Sequence, residues 1–260
     1  TDQLRGTVEL LPIVNEPAFR RGERTAEDGL DLARVCPGRA DGSTTKQIAH
    51  ALTETIRSAD YYIDLHTGGR AFCVLPLTGY SLHADASVLD CQRRMAHAFN
   101  LGVVWGTKPL PGRSLSVAAD AGIPAIYAEY FGAAICAAAG VEAYVAGCLN
   151  VMGELGMVDR TATESCVSVV VEDDGPDSGH MQMQNQAPMA GFFEPAVRLG
   201  DSVRVGDLLG TLTDTMGDRV EPMRSQQNGI VLVLRTFPMV DVGDSIGVVL
   251  PAPRDEKSKS

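Results

Sequence analysis

Two hundred and sixty residues, 45% hydrophobic and 21% charged, suffice for one sizeable core or two modest ones and exclude disorder, a collagen-like repeat and a disulfide-stapled miniprotein. A net charge of −11, with only four lysines beside 18 arginines, offers no basic stripe for phosphate neutralisation, so nucleic acid is excluded as a partner. Six cysteines without a Cys-x-x-Cys pair argue against a zinc ribbon or thioredoxin-type redox site and read as free thiols of a reducing, cytoplasmic compartment. The apolar stretch from Gly122 to Gly147 is interrupted by Pro124, Glu129 and Glu142, so no membrane span is expected. Thr1 is not followed by a signal-peptide pattern.

Residues 1–158 alternate strand-like and helix-like patterns, the signature of an α/β layer structure with a mixed sheet flanked by helices. Strands are predicted at Thr7–Val14, Tyr61–His66, Phe72–Leu77, Gly102–Gly106 and Ile123–Glu129, each a short apolar or β-branched run bounded by turn residues. Thr44 with Gln47 reads as a capping box for a helix carrying Ile48, Leu52 and Ile56 on one face. Val88, Cys91, Met95 and Phe99 mark a second helix, and Ala137–Leu155 a third, closed by Gly156.

Helix signals vanish after about residue 160, and residues 162–253 read as a small all-β barrel-sandwich domain built from two repeats, followed by a charged tail at 254–260. Val205-Gly206-Asp207-Leu208-Leu209-Gly210 recurs as Val242-Gly243-Asp244-Ser245-Ile246-Gly247. Glycine supplies positive φ there and aspartate closes a turn onto its own backbone. The unit resembles the flattened barrel of biotinyl and lipoyl carriers. Covalent carriage needs a lysine, however, and none occurs between Lys108 and Lys257, so a lid or an assembly surface is expected instead.

Three segments carry candidate chemistry. In Ile63-Asp64-Leu65-His66-Thr67-Gly68, Asp64 and His66 are two apart on a strand and project to one face, where the carboxylate could orient the imidazole for metal binding; the bland alternative is a satisfied polar strand end. Glu129 is a single carboxylate ending an apolar strand, where desolvation would raise its pKa toward that of a general base; the alternative is a salt-bridged structural glutamate. Arg24 and Arg34, in a Gly- and Pro-punctuated region running to Gly38, could grip a carboxylate bidentately or lie solvated on a loop.

Taken in order, Leu4-Arg5-Gly6 leading into Leu11-Pro12-Ile13-Val14-Asn15, the Asp31–Gly38 loop, Asp64-Leu65-His66-Thr67-Gly68, Gly122-Ile123-Pro124-Ala125, Glu129 and the C-terminal barrel resemble the succinylglutamate desuccinylase and aspartoacylase family. These are zinc hydrolases with a carboxypeptidase-like α/β fold, and members bearing such a barrel include N-acetyl-diaminobutyrate deacetylases. The resemblance implies one zinc ion with His66 as a ligand and Asp64 behind it. It makes Glu129 the general base that activates the attacking water, and Arg24 with Arg34 a clamp on the carboxylate of a small acylated amino acid.

Two departures are visible. The family takes its other zinc ligands from a His-x-x-Glu motif upstream of the Leu-Arg-Gly-like segment, where only Thr1–Gln3 stand here, and Ala33 replaces the asparagine usual before Arg34. The 260 residues by themselves are therefore expected to be inert. An N-terminal truncation is the preferred reading, and a product that lost its metal site and persists as a binding or structural protein is the alternative. Loss of a first strand and helix would bare apolar surface, so a homo-oligomer is expected.

Overall fold

Helices and strands form where apolar spacing gives them a face to bury. The computed structural model describes residues 4–161, 163–175, 178–180 and 183–251; the tail read at 254–260 lies outside them. In chain order the helices are α1 (Glu16–Arg21), α2 (Thr44–Arg57), α3 (Ala86–Phe99), α4 (Ser114–Asp120) and α5 (Ala138–Glu154). The strands of the first part are β1 (Tyr62–His66), β2 (Phe72–Ser81), β3 (Val103–Thr107), β4 (Ala125–Gly132) and β5 (Val169–Asp173). Those of the second are β6 (Gly191–Pro195), β7 (Ser202–Val203), β8 (Leu208–Thr213), β9 (Val220–Arg224), β10 (Gly229–Arg235), β11 (Met239–Val240) and β12 (Gly247–Pro251). No helix among the described residues is long and apolar enough to cross a membrane.

The main sheet is mixed. β1 lies parallel to β4, β2 antiparallel to β4, and β3 and β5 continue parallel to β2. One face packs on α2 and α4 through Leu52, Ile56, Leu77, Leu115 and Tyr127. The other packs on α3 and α5 through Met95, Phe99, Val104, Ile126 and Val151. Helix α2 buries Ala49, Leu52 and Ile56 as its spacing of four requires, but its N-terminus is not fastened by a capping box. Ser43 is the N-cap, and Asp28 accepts from the Thr45 amide (2.9 Å) and hydroxyl (2.7 Å) across the loop.

Three further differences have physical reasons. Thr7–Val14 forms no strand: Val8, Leu10, Leu11 and Ile13 are exposed, because an extended segment without a ladder partner gains nothing from its alternation. β5 falls inside the 162–253 segment yet extends the α/β sheet, since Val169–Asp173 finds its ladder on β3. β2 runs on to Ser81 because its first half pairs with β10 and its second half with β3. That pairing fuses the two parts of the chain into one sheet.

The second part buries Phe193, Leu209, Leu212, Val231, Ile246 and Val249 between the four-stranded sheet β11-β6-β8-β9 and the β10–β12 end of the main sheet. Its repeat is visible in the backbone. Gly206 and Gly243 have φ of +92° and +86°, and the carboxylates of Asp207 and Asp244 accept from the amides of Arg204 (2.8 Å) and Asp241 (3.1 Å).

Candidate active site

In-register parallel pairing sets His66, the last residue of β1, directly beside Glu129 on β4. Side chains two apart share a face, so Tyr62, Asp64 and His66 all point toward α2 and α4. The Asp64 carboxylate lies 3.0 Å from His66 Nε2. It also accepts from the Ser114 hydroxyl at the start of α4 and from the Tyr62 hydroxyl. Burial works to raise the Asp64 carboxyl, but the His66 imidazole and these hydrogen bonds outweigh it and hold the pKa at about 2. Reciprocally, the Asp64 carboxylate pushes the imidazole up to about 9, against desolvation. Metal ligation by His66 would have to displace that proton.

Glu129 stands in a different balance. Burial raises its pKa and the Asp64 charge adds to this, while His66, Arg24 and Arg113 pull it down. Its Oε2 is buried without a hydrogen-bond partner, an expensive state that marks a group kept for something other than packing. The strand just beyond is strained: Phe131, Ala133 and Ala134 have φ of +46°, +55° and +59°, left-handed conformations that non-glycine residues adopt where a site constrains them.

The arginines divide unevenly. Arg24 Nε is 2.9 Å from Asp31 Oδ2, and Asp31 also caps the 3₁₀ turn Leu32–Arg34, so Arg24 is tied into its own loop while its charge still acts on His66 and Glu129. Arg34 Nη1 bonds the carbonyl of Ala33 (2.9 Å), and Arg113 Nη2 that of Gly179 (3.3 Å). Neither forms an ion pair among the described residues. The pKa of Arg113 is lowered by burial and by the charges of Arg34 and Arg24. Two like charges are held close because Gly112, at φ +82°, sits where a Cβ would lie 2.5 Å from the Arg34 carbonyl oxygen, and its own oxygen accepts from the Cys36 amide (3.0 Å).

The fold thus brings Asp64, His66 and Glu129 to one site, with Arg24, itself ion-paired to Asp31, close enough to act on His66 and Glu129 and Arg34 reaching the site beside Arg113, and it adds Tyr62, Arg113 and Ser114, which sequence reasoning missed. Period two from Asp64 could have found Tyr62. Nothing local announces Arg113 and Ser114, since Ser114 is 50 positions from Asp64. For a metal, the chain offers the His66 imidazole, while the unpartnered Glu129 oxygen stands beside it. Among the described residues no group of three or more His, Cys, Asp or Glu side chains could hold an ion, whereas a catalytic zinc takes three protein ligands; these residues do not complete one.

Comparison with known proteins shows the family and the fold. The profile of the succinylglutamate desuccinylase/aspartoacylase catalytic domain matches residues 1–155. The N-alpha-acetyl-L-2,4-diaminobutyric acid deacetylase of Halomonas elongata is 28% identical over 258 residues, 95% of this chain and 73% of the relative. A succinylglutamate desuccinylase/aspartoacylase from Rhodobacter sphaeroides superposes with a TM-score of 0.86 at 26% identity, covering 98% of this chain and 78% of that one. The product-bound ectoine utilization protein EutE (DoeB) of Ruegeria pomeroyi gives 0.81 at 26% identity, covering 92% and 73%. The mixed sheet, its flanking helices and the appended β unit are those of the carboxypeptidase-like deacylases. The chain belongs to the succinylglutamate desuccinylase/aspartoacylase family.

Proposed function

We propose that this site hydrolyses the amide of an N-acylated amino acid, taking up the substrate by its free carboxylate at Arg34 and Arg113 and moving protons at Glu129. One observation carries the reading: the Arg113 guanidinium, beside Arg34 and without an ion pair among the described residues, acts on the buried Glu129 carboxylate, whose Oε2 has no hydrogen-bond partner. A substrate carboxylate relieves the Arg34–Arg113 repulsion through charge-assisted hydrogen bonds and delivers the acyl amide toward Glu129. As a water oxygen adds to the acyl carbon, Glu129 takes its proton; as the C–N bond breaks, Glu129 passes that proton to the departing amine. Desolvation, by raising the Glu129 pKa, moves it toward the range such shuttling requires. Ser114 and Tyr62, through Asp64, fix the His66 imidazole beside it.

Zinc, when bound, would supply Lewis acidity at the amide carbonyl, with His66 giving one imidazole; the described residues do not complete its ligand set. The names of two relatives, an acetyl-diaminobutyrate deacetylase and an ectoine utilization protein, support a small acylated amino acid as substrate. The six free cysteines support a reducing, cytoplasmic setting. The exposed stripe Val141, Val145 and Leu149 on α5 supports self-association.

The test compares N-acetyl amino acids bearing a free or an amidated carboxylate, following free-amine release by the full-length gene product. Loss of a charge-assisted contact is worth about 1.5–3 kcal/mol, so kcat/KM should fall about 10- to 100-fold on amidation. Equal rates would remove the arginine assignment. Carboxylate binding with no release from any such substrate would leave the second reading, a non-catalytic binder, which the incomplete donor set favours.

A further inference from the structure

Among the described residues β1, the strand that presents His66, has its ladder with β4, and that ladder ends at the His66–Glu129 pair. The hydroxyl of Tyr144, in the middle of α5, donates to the His66 carbonyl oxygen, and it comes from the face opposite Asp64 and Ser114.

The ring carrying that hydroxyl is held by its neighbours. It packs edge-on against Phe99 (centroids 5.8 Å apart, planes at 74°) and against Tyr130 (6.1 Å, 85°). Tyr130 in turn packs on Phe131 (4.8 Å), where the left-handed run begins. Helix α5 is notched on either side of Tyr144: a Cβ at Gly140 would lie 2.9 Å from the Tyr130 ring, and one at Gly147 would lie 2.5 Å from the Phe99 ring. The helix therefore settles close enough for the hydroxyl to reach the end of β1. Burial and the charges of Glu129, the nearby Cys148 and Asp64 raise the Tyr144 pKa, which keeps the proton on the donor.

We propose that Tyr144 is a positioning residue, whose hydroxyl pins the end of β1 through the His66 carbonyl and so sets the imidazole against Asp64 and beside Glu129. A constellation of this kind works only when held to within about 0.5 Å, and the Tyr144 hydroxyl fixes the backbone at the last residue of β1, where its ladder with β4 ends. The kinetic consequence rests on the deacylase reading above; the geometric one does not.

Tyr144→Phe keeps the ring and both edge contacts and removes only the hydroxyl. The His66 ring ¹³C–¹H correlation, assigned by its loss in His66→Gln and recorded at one neutral pH, should shift by more than a linewidth or broaden. The thermal midpoint should fall by less than about 4 °C. In the full-length gene product kcat should drop about tenfold while KM changes less than about twofold, since the arginines that hold the substrate are untouched. Phe99→Leu serves as the packing control: it takes an edge contact from the ring but leaves the hydroxyl, so it should lower the midpoint more and leave the His66 correlation in place.

The proposal is overturned if Tyr144→Phe moves neither the His66 correlation nor kcat, or if Phe99→Leu moves the correlation as far. Absence of turnover in the unmodified protein would defeat the deacylase reading, while the resonance experiment would still decide the role of Tyr144.

Discussion

Gly112→Ala places a methyl group where the Arg34 and Arg113 loops touch. Its Cβ would lie 2.5 Å from the Arg34 carbonyl oxygen, 2.7 Å from the carbonyl carbon and 3.0 Å from Cα. All three are backbone atoms, so no rotamer change relieves the overlap. Restoring an ordinary contact of 3.4 Å from 2.5 Å parts the loops by about 0.9 Å, which breaks the 3.0 Å bond from the Cys36 amide to the Gly112 oxygen. That bond is worth about 1 kcal/mol, and the left-handed φ costs a side-chain-bearing residue about 1–2 kcal/mol more. A loss of about 2–3 kcal/mol lowers the melting midpoint of a chain this size by about 4–12 °C. Because the same movement separates the two guanidiniums, KM for a carboxylate-bearing substrate should rise about tenfold, with a smaller change in kcat. Calorimetric melting and steady-state kinetics measure the two effects. A midpoint lowered by less than about 2 °C with unchanged KM would refute the claim that Gly112 couples the loops.

Glu172 accepts from Arg93 Nε (2.8 Å) and from the Tyr80 hydroxyl (2.7 Å), and chiefly the Arg93 hydrogen bond lowers its pKa below 4.5. A depressed carboxylate contributes stability above its unfolded pKa and loses it as pH falls through the folded value. The stability gap between the protein and Glu172→Gln, about 0.5–1 kcal/mol at neutral pH for so exposed a pair, should therefore close below pH 4.5; a gap that widens on acidification contradicts the assignment. The 260-residue chain, analysed by metal emission spectroscopy, should carry well under one zinc per molecule, since its described residues gather no three donors. Near-stoichiometric zinc would show that donors here were overlooked.

Much of the framework is legible in the sequence because each element declares its own burial. The buried strands β3 and β4 and the half-buried β1 appear as short apolar runs, and α2 and α3 as apolar spacings of three and four. Asp64 and His66 are legible together because strand geometry forces residues two apart onto one face. What could not be read depends on contacts distant in sequence. Thr7–Val14 has a strand's alternation but no ladder partner among the described residues, and β5 lies beyond the last helix in sequence yet finds β3 in space. Arg113 has no local signature; its role comes from Gly112 seating it on the Arg34 loop. Tyr144 looks like one more apolar-face residue until the fold brings it, 78 positions away in sequence, onto the His66 carbonyl.

Whether Glu129 moves protons or merely fills its strand end is decided by one variant. Glu129→Gln in the full-length gene product keeps the side chain's shape and removes the basic oxygen. Amine release from an N-acetyl amino acid should fall by about 10²- to 10⁴-fold, with fold, zinc occupancy and substrate affinity preserved. Retention of more than about a tenth of the unmodified turnover, contrary to that range, would make Glu129 structural and contradict proton transfer at this residue.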